Sequence, residues 1–309
     1  MECLECDIRI MIILDGKKTA NDIKQEIAIK VAKLENARGK NPHLAAILVG
    51  SDGASETYVN AKVRACAKVG IDSTLIRLEI TASEEELLAE IEKINNNAAI
   101  DGLIVQLPLP KHIDEMKVTE AISHKKDVDG FHPYNLGCLA AGKPLFIPCT
   151  PKGIMRIFHH YNITISGKHV VVVGRSNIVG RPISILTSLK QANSNGTTTI
   201  CHSGTHNIGQ YTKQADIIIL AMGSPGYLKG DHIKEGAIVI DVGINRITDD
   251  SPKGYKLMGD GDQLSLYKKV SGITPVPGGV GPMTIAMLVE NTVEAAERKI
   301  GRASCRERV

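Results

Sequence analysis

The stretch HVVVVGRSNIVGRP, residues 169–182, decides the fold of this chain. Its continuous apolar run predicts a strand that is buried on both faces, and the glycines that follow, Gly174 and Gly180, predict a tight turn into a helix. A helix that begins directly after a buried strand presents backbone N–H groups that can hold a pyrophosphate. Ser176 stands where the usual three-glycine pattern has its middle glycine, so a purely structural strand-to-helix turn is the alternative.

Further apolar runs downstream indicate that this stretch belongs to a Rossmann-like domain with a parallel sheet. Such runs are typical of strands that are covered by helices on both faces. We therefore predict an α/β domain over residues 150–281. Its other strands are predicted at TTTICH (197–202), ADIIILAM (215–222) and AIVIDVG (237–243).

The first half of the chain shows the same alternation of β-branched runs and amphipathic helical stretches. The helix over SEEELLAEIEKI is expected to begin with a capping box formed by Ser83 and Glu86. The alternation predicts a smaller α/β domain with a largely parallel sheet over residues 11–149. The last apolar helix, residues 282–300, could pack on either domain. The strands of the first domain are predicted at residues 45–50, 73–80 and 101–107.

Composition disfavours several classes of protein. The formal net charge is only +3 over 309 residues, and the chain has no Trp and three Phe, so a basic nucleic-acid groove with stacking aromatic rings is not expected. No apolar run approaches the roughly 20 residues that cross a bilayer, and no signal peptide is evident, so we expect a cytoplasmic protein. The seven cysteines are scattered, and the close pair Cys3 and Cys6 lacks a second ligand pair, so no metal site is expected.

The two ends of the chain differ from the rest in pattern. Met11 is a more natural start than Met1, because it opens directly into a predicted strand and a helix capped near Thr19. Residues 1–10 and 301–309 contribute neither a motif nor a periodic apolar face. We expect both segments to be non-native extensions.

The loop after the buried strand also predicts which nicotinamide cofactor is bound. Arg175 follows Gly174, and the next strand ends in His202 and Ser203. An NAD enzyme usually carries an acidic residue at that strand end, whereas a 2′-phosphate requires arginine and hydroxyl donors. The pattern favours NADP over NAD. The alternative is that Arg175 is a solvated surface charge.

Tyr58 and Lys62 are the first candidates for catalysis. They are four residues apart in a predicted helix, so both project from one face. Beside apolar neighbours at a cleft, such a pair can exchange protons near neutrality. The alternative is an ordinary solvated helix face.

Two further polar residues follow predicted strands or turns. Gln106 stands at the end of the strand in DGLIVQLPLP, which is the usual place for ligands in parallel sheets. Asp129 lies in KDVDGFHP, beside Asp127, and can accept hydrogen bonds from an amino-pyrimidine ring. Turn capping is the alternative role for both Gln106 and Asp129.

The segment GITPVPGGVGPMT, residues 272–284, combines prolines and glycines between a predicted strand and a helix. Its glycines allow a ligand to approach the backbone closely, and its prolines are compatible with a cis peptide bond. A purely structural crossover is the alternative.

Seven stretches, taken in order, resemble the bifunctional methylenetetrahydrofolate dehydrogenase/cyclohydrolase family. The resemblance spans residues 12–300 and implies an N-terminal catalytic domain that the C-terminal helix 282–300 completes, a Rossmann NADP domain, and a homodimer. It implies a folate substrate that is oxidised with NADP from the methylene to the methenyl form, which is then hydrolysed. The stretches are YVNAKVRACAKVGI, DGLIVQLPLP, KDVDGFHP, GRSNIVGRP, CHS, EGAIVIDVGIN and ITPVPGGVGPMT.

The resemblance also implies roles for individual residues. Lys62 matches the catalytic lysine and Tyr58 the tyrosine that stacks on the folate. Gln106 matches the glutamine that tunes the lysine, and Asp129 the aspartate that holds the pterin. The dinucleotide-contact positions are Gly174, Arg175, Ser176, Ser203 and Ile244, and the folate-binding set adds Pro277, Gly278 and Gly279.

One departure from the family pattern is the run GDGDQLSLY, residues 259–267, where related sequences usually have a valine after the first aspartate. We therefore expect different local packing near Gly261. Two rival functions are an NADP dehydrogenase that acts on a small acid and a catalytically silent NADP-binding dimer. Neither explains why Tyr58, Lys62, Gln106 and Asp129 occur together.

We predict that deleting residues 1–10 and 301–309 leaves folding and activity unchanged, because neither segment contributes a motif or a periodic apolar face. Thermal denaturation and a dehydrogenase assay of the truncated and full-length proteins test this. A large fall in melting temperature on truncation would contradict it.

Overall fold

The computed structural model describes residues 11–251 and 254–306. Within these ranges, strands and helices alternate along the chain. The strands are β1 Ile12–Ile13, β2 His43–Val49, β3 Asp72–Leu78, β4 Gly102–Val105, β5 His169–Val173, β6 Thr197–Cys201, β7 Ile217–Leu220, β8 Ile238–Asp241, β9 Asn245–Thr248, β10 Tyr255–Met258 and β11 Gly272–Ile273. The helices are α1 Gly16–Arg38, α2 Gly53–Lys68, α3 Glu84–Asn96, α4 Glu115–Ala121, α5 Pro133–Ala140, α6 Cys149–His160, α7 Gly180–Ser188, α8 Gly209–Thr212, α9 Gln263–Leu266 and α10 Val280–Arg306.

The described residues form two bodies. The first body comprises residues 18–153 and 282–306, and the second comprises residues 11–17 and 154–281. Each is built around a parallel sheet, which confirms the predicted α/β class.

The first body contains a three-stranded parallel sheet in the order β3-β2-β4. The central strand β2 is buried along nearly its whole length, because it has a neighbour on each side. Helix α3 buries Leu87, Ile91 and Ile94, which recur at helical spacing along one face. Its N-terminus carries the predicted capping box, with Ser83 and Glu86 each bonded to the backbone of the other. The three strands and helix α3 of this body therefore confirm the predictions made from the local sequence pattern.

A buried ion cluster joins three parts of the first body. The Asp101 carboxylate, which precedes β4, accepts two hydrogen bonds from the Arg38 guanidinium at 2.9 and 3.0 Å. The Lys299 ammonium of α10 lies 2.8 Å from the same carboxylate, and the His43 N–H donates to it at 3.1 Å. Burial alone would raise the pKa of Asp101, but the hydrogen bonds from Arg38 and Lys299 outweigh it and hold the pKa below its usual range. The cluster therefore ties α1 and α10 to the sheet.

The second body contains a six-stranded sheet in the order β1-β11-β8-β7-β5-β6, and every pairing in it is parallel. Strands β5 and β7 are buried as the apolar runs predicted. Strand β6 is an exception: it lies at the edge of the sheet, and Ile200 on it is 42% exposed. The expectation that every apolar run of this domain is covered on both faces is therefore wrong for β6.

The start of the described chain also differs from the sequence expectation. Residues 11–17 were grouped with the first domain, but Ile12 pairs with Gly272 of β11 and so adds an edge strand to the second body. Helix α1 begins at Gly16, not near Thr19 as expected. Thr19 lies one turn inside the helix, where it is fully buried. The antiparallel hairpin of β9 and β10 was not predicted.

Some expectations about the chain ends concern residues that the structure does not describe. Residues 1–10, with Cys3 and Cys6, and residues 307–309 lie outside the described ranges. The backbone of α10 continues as a helix through Arg306, into the segment expected to be an extension. Among residues 11–251 and 254–306, no helix combines the length and apolar character that crossing a membrane requires.

We predict that Asp101→Asn destabilises the protein by about 3–5 kcal/mol, because the buried Arg38 guanidinium loses its carboxylate and the partly exposed Lys299 ammonium loses the same partner. The matched control is Glu56→Gln, which breaks an exposed ion pair with Arg77 and should cost less than about 1 kcal/mol. Urea denaturation at neutral pH measures both changes.

The lowered pKa of Asp101 also sets the sign of a pH effect. Because that pKa lies below the ordinary 3.8, the stabilisation from Asp101 is complete well above pH 3.8 and is lost as the pH falls through the lowered pKa. The difference in stability between the parent and Asp101→Asn should therefore shrink in acid. A difference that grows in acid would contradict the assignment.

Candidate active site

Helix α2 places Tyr58 and Lys62 on one face. The helix begins after Asp52, whose carboxylate accepts the Ser55 N–H at 2.9 Å. One turn separates Tyr58 from Lys62, and the Lys62 ammonium lies 5.9 Å from the centroid of the Tyr58 ring. Lys62 is only 6% exposed, so the alternative of a solvated helix face does not describe it.

Gln106 contacts Lys62 from the end of strand β4. The Lys62 Nζ donates to Gln106 Oε1 at 3.2 Å, and Gln106 Nε2 donates to the Leu107 carbonyl at 2.6 Å. Because the Leu107 carbonyl can only accept, it fixes the amide so that the carbonyl oxygen faces the lysine. The peptide bond between Leu107 and Pro108 is cis. Gln106 therefore presents a fixed acceptor to Lys62.

Asp127 organises the loop that follows. Its carboxylate is buried and performs the turn capping that was the alternative role for Asp129. One of its oxygens also accepts from the side-chain amide of Asn135 at 2.7 Å. The sequence analysis placed Asp127 beside the site without a role of its own. Its backbone donors are the N–H groups of Gly130, Phe131 and His132, at 3.1, 3.2 and 2.8 Å.

Asp129 faces the lysine. Its Oδ2 lies 3.9 Å from Lys62 Nζ, and the residue is 9% exposed. The main chain on either side is held by two hydrogen bonds: Cys149 N–H donates to the Asp129 carbonyl at 3.3 Å, and Asn291 Nδ2 donates to the Val128 carbonyl at 2.7 Å. The structure thus brings Tyr58, Lys62, Gln106 and Asp129, the four candidates of the sequence analysis, close together.

Burial controls protonation in this cluster. It raises the pKa of the Tyr58 phenol, and the nearby Asp129 and Cys149 raise it further. Burial also raises the pKa of the Cys149 thiol well above its usual value, with Asp129 adding to the effect. Both groups therefore keep their protons at neutral pH. Tyr58 offers a neutral ring instead of exchanging protons with Lys62.

The loop between β5 and α7 admits no side chain at its two glycines. Gly174 has a φ of +137°, and a Cβ there would lie 2.2 Å from the Ala221 carbonyl oxygen. A Cβ on Gly180 would lie 2.2 Å from the Gly174 carbonyl oxygen. Only glycine fits at either position, so the helix can begin close against the end of the strand.

Ser176 modifies the expected anion site. Its Oγ accepts the Val179 N–H at 3.2 Å and the Gly180 N–H at 3.4 Å. Two of the amides at the start of α7 are therefore occupied by this hydroxyl in the structure, and they become available to an anion only if the serine turns away. Arg175 and Ser176 are both exposed.

The other predicted positions of the second body follow neighbouring strands of the same sheet. Ser203 follows β6, and Ile244, 48% exposed, follows β8. Residues 277–279 follow β11, and the peptide bond between Val276 and Pro277 is cis, which confirms that expectation. Because the strands are parallel, these positions and the Gly174 turn all lie at the carboxyl ends of the strands, on the same side of the sheet.

Gly261, in the run 259–267 that departs from the family pattern, packs against Leu266. A Cβ at Gly261 would lie 2.6 Å from Leu266 Cδ1, and Leu266 is fully buried. The leucine therefore fills the space beside the glycine. The sequence analysis assigned no role to the two buried aspartates nearby: Asp241, inside the predicted strand 237–243, and Asp260, in the run 259–267.

Two family descriptions match the chain. The tetrahydrofolate dehydrogenase/cyclohydrolase catalytic domain matches residues 14–129, and the NAD(P)-binding domain of the same family matches residues 148–300. The bifunctional protein FolD of Flavobacterium johnsoniae is 56% identical over 290 residues, which cover 94% of this chain and 98% of that protein. FolD of Bacteroides thetaiotaomicron is 52% identical over 291 residues, covering 94% and 99%.

Solved structures agree with these matches. The bifunctional enzyme FolD, methylenetetrahydrofolate dehydrogenase/cyclohydrolase, of Campylobacter jejuni is 46% identical with a TM-score of 0.88, covering 94% of this chain and all of that one. The Trypanosoma brucei methylenetetrahydrofolate dehydrogenase-cyclohydrolase, solved with NADP cofactor and an inhibitor, is 37% identical with a TM-score of 0.89, covering 94% and 98%. The motifs, the fold and these matches together show that the chain belongs to the tetrahydrofolate dehydrogenase/cyclohydrolase family.

Proposed function

We propose that this chain oxidises 5,10-methylenetetrahydrofolate to 5,10-methenyltetrahydrofolate with NADP and hydrolyses that product to 10-formyltetrahydrofolate. The observation that carries the proposal is the buried Lys62 ammonium, which donates to Gln106 Oε1 at 3.2 Å and lies 3.9 Å from Asp129 Oδ2. The names of its relatives, bifunctional FolD proteins at more than half identity, support the same pair of reactions.

The two bodies divide these tasks in the proposal. The catalytic, folate-binding domain is the part that carries Lys62, residues 18–153 completed by the helix 282–300. The NADP-binding domain is the part that carries Gly174, residues 154–281 with residues 11–17 added at the edge of its sheet. The matches of the two family descriptions to residues 14–129 and 148–300 support a boundary near residue 148. The helix 282–300 is placed with the catalytic domain because Lys299 pairs with Asp101 and Asn291 donates to the Val128 carbonyl.

In the first body, each side chain has a task that its chemistry suits. The Tyr58 ring, whose phenol stays neutral, stacks on the folate ring system. Asp129 accepts hydrogen bonds from the amino-pyrimidine part of the pterin, since a carboxylate offers two acceptor oxygens. Lys62 relays a proton during the hydrolysis step. Positioning of this kind supplies much of the rate enhancement in such reactions, because it removes the entropic cost of bringing the partners together.

Lys62 acts in the hydrolysis step. Water adds to the methenyl carbon, a C–O bond forms, and one proton of that water leaves to solvent. The ring C–N bond then breaks as the Lys62 ammonium gives a proton to the departing nitrogen. The second proton of the water returns to the lysine as the formyl C=O forms on the other nitrogen. Gln106 Oε1 holds the lysine nitrogen in place during this exchange.

The second body fits a dinucleotide. Its two glycines let α7 begin close against the end of β5, where an added Cβ would meet backbone oxygen at 2.2 Å. The backbone N–H groups at that helix start can hold the pyrophosphate once the Ser176 hydroxyl turns away from them. Arg175 and Ser203 suit a 2′-phosphate, and no carboxylate stands at that strand end. Ser176 and Ile244 complete the dinucleotide contacts, and the family resemblance adds residues 277–279 as contacts of the folate. NADP, when bound, accepts the hydride from the folate.

The proposal extends to assembly, because the family resemblance implies a homodimer. Sedimentation equilibrium of the purified chain distinguishes a dimer from a monomer.

We predict that Lys62→Met lowers cyclohydrolase turnover by roughly 10²–10⁴-fold, the usual contribution of a positioned acid or base. Methionine keeps a long unbranched stem, so packing should survive. Hydride transfer should fall less, because it depends on alignment more than on a proton carrier, and methenyltetrahydrofolate should accumulate. Absorbance assays of each half-reaction measure this.

The matched control for this variant is Lys68→Met, which removes an exposed lysine from the last turn of the same helix. It should leave both rates near those of the parent. A folded Lys62→Met protein that hydrolyses methenyltetrahydrofolate at the parent rate would refute the role of the lysine.

We predict that Arg175→Ala weakens NADP binding far more than NAD binding, since a charge-assisted contact to the 2′-phosphate contributes roughly 1.5–3 kcal/mol. Titration calorimetry with both cofactors measures the difference. The control Arg181→Ala removes a nearby exposed guanidinium that bonds Asn177. Equal losses for NADP and NAD would show that Arg175 contacts the pyrophosphate or supports the fold.

A further inference from the structure

We propose that Asp260 is a positioning residue for the nicotinamide cofactor: its carboxylate holds the loop 222–224 and the segment that carries Ile244 in their binding arrangement. The inference rests on the proposed function of the second body as the NADP domain. It concerns a residue to which neither the motifs nor the family resemblance assigned a role.

The Asp260 carboxylate is fully buried and accepts four hydrogen bonds. Three come from consecutive backbone N–H groups of the loop after β7, and one comes from the side-chain amide of Asn245. Each oxygen takes two donors, so the acceptor capacity is used symmetrically. Met222 and Gly223 donate to Oδ2 at 2.8 and 3.0 Å, and Ser224 and Asn245 Nδ2 donate to Oδ1 at 2.8 and 3.0 Å.

The loop 222–224 needs this partner. It follows the buried strand β7 directly, and Gly223 has a φ of +68°, so the chain turns sharply away from the sheet. Its N–H groups converge on one point and are partly withdrawn from solvent, where they would be costly without an acceptor. The carboxylate is what holds the turn in this shape.

Asn245 connects the same carboxylate to the predicted cofactor contact. It donates to Asp260 Oδ1 and, at 3.2 Å, to the Met258 carbonyl, and it directly follows Ile244. On the other side of Ile244, the Gly243 N–H donates to Asp241 Oδ1 at 2.9 Å. Ile244 is therefore exposed between two anchored neighbours.

Asp241 anchors Asp260 in turn. Its carboxylate accepts the N–H groups of Asp260 and Gly261 at 3.0 and 2.8 Å, and its own N–H donates to Thr274 Oγ1 at 2.8 Å. The hydrogen bonds run from the end of β11 through β8 to the loop after β7. These hydrogen bonds lie at the carboxyl ends of the strands, where parallel sheets bind ligands.

Two neighbouring buried carboxylates are costly for a fold. Burial raises the pKa of Asp241 to about 6, and the Asp260 charge adds to that rise. Apolar residues would fill the same volume at lower cost, but they could not accept seven N–H groups from loops at one edge. The pair therefore serves the geometry of those loops.

The test is Asp260→Asn, measured in two assays on the intact protein. Asparagine keeps the size but turns one acceptor into a donor, which then faces either the Met222 and Gly223 N–H groups or those of Ser224 and Asn245. The KM for NADP in the dehydrogenase assay should rise roughly tenfold to a hundredfold. Hydrolysis of added methenyltetrahydrofolate requires no nicotinamide and should stay within about twofold of the parent.

The matched control is Asp262→Asn, two residues further on. It makes the same change of charge, and among the described residues no hydrogen bond to its carboxylate is present. Both assays should give parent values. Direct titration of NADP into parent and variant separates the inference from the proposed function: a parent that binds no NADP contradicts both, whereas equal affinities of an NADP-binding parent and the variant contradict only the role of Asp260.

A proportional loss of both activities in Asp260→Asn, with a lower melting temperature, would show a general structural role and overturn the proposal. Should Asp260→Asn fail to fold, Asn245→Ala removes one of the four donors and leaves the 222–224 turn intact. The KM for NADP should then rise severalfold with hydrolysis unchanged. An unchanged KM in that folded variant would also overturn the proposal.

Discussion

Parallel strand pairing is the constraint on which the site of each body depends. The carboxyl ends of parallel strands lie on the same side of the sheet, so the loops that follow them lie side by side. In the first body this places Gln106 beyond β4, within reach of Lys62. In the second body it brings the Gly174 turn, Ser203 and Ile244 to one edge. The sheets therefore dictate where these loops lie, and in the first body helix α2 adds Tyr58 and Lys62 to the site.

Buried carboxylates hold these loops in place. Asp127, Asp241 and Asp260 each accept several backbone N–H groups from residues near them. An unpaired N–H in such a place costs about as much as a lost hydrogen bond, so a carboxylate that satisfies three or four donors specifies a loop shape strongly. Asp101 has a different role, because its partners are side-chain cations and it joins helices to a sheet.

In the catalytic cluster, Asp127 and Asp129 have separate roles. Asp127 satisfies the backbone of the turn, while Asp129 lies 3.9 Å from the Lys62 ammonium, beyond hydrogen-bond distance. Its oxygens are thus available to donors on a ligand. The lysine has its closest contact with Gln106, a neutral acceptor that orients the ammonium without neutralising it. A buried ammonium with one fixed acceptor and a nearby carboxylate is suited to passing a proton.

Features that depend on local pattern could be predicted without the structure. Apolar periodicity placed β2, β5 and α3, the Ser83 and Glu86 pair marked a helix start, and the motifs indicated the family. Only the tertiary structure decided that β1 joins the second body, that β6 is an edge strand, and that Asp127 caps the turn beside Asp129. Periodicity records which faces are buried over a few residues. It does not record which distant strand supplies the neighbour, nor which of two nearby carboxylates the folded backbone can reach, because both depend on contacts between residues far apart in the chain.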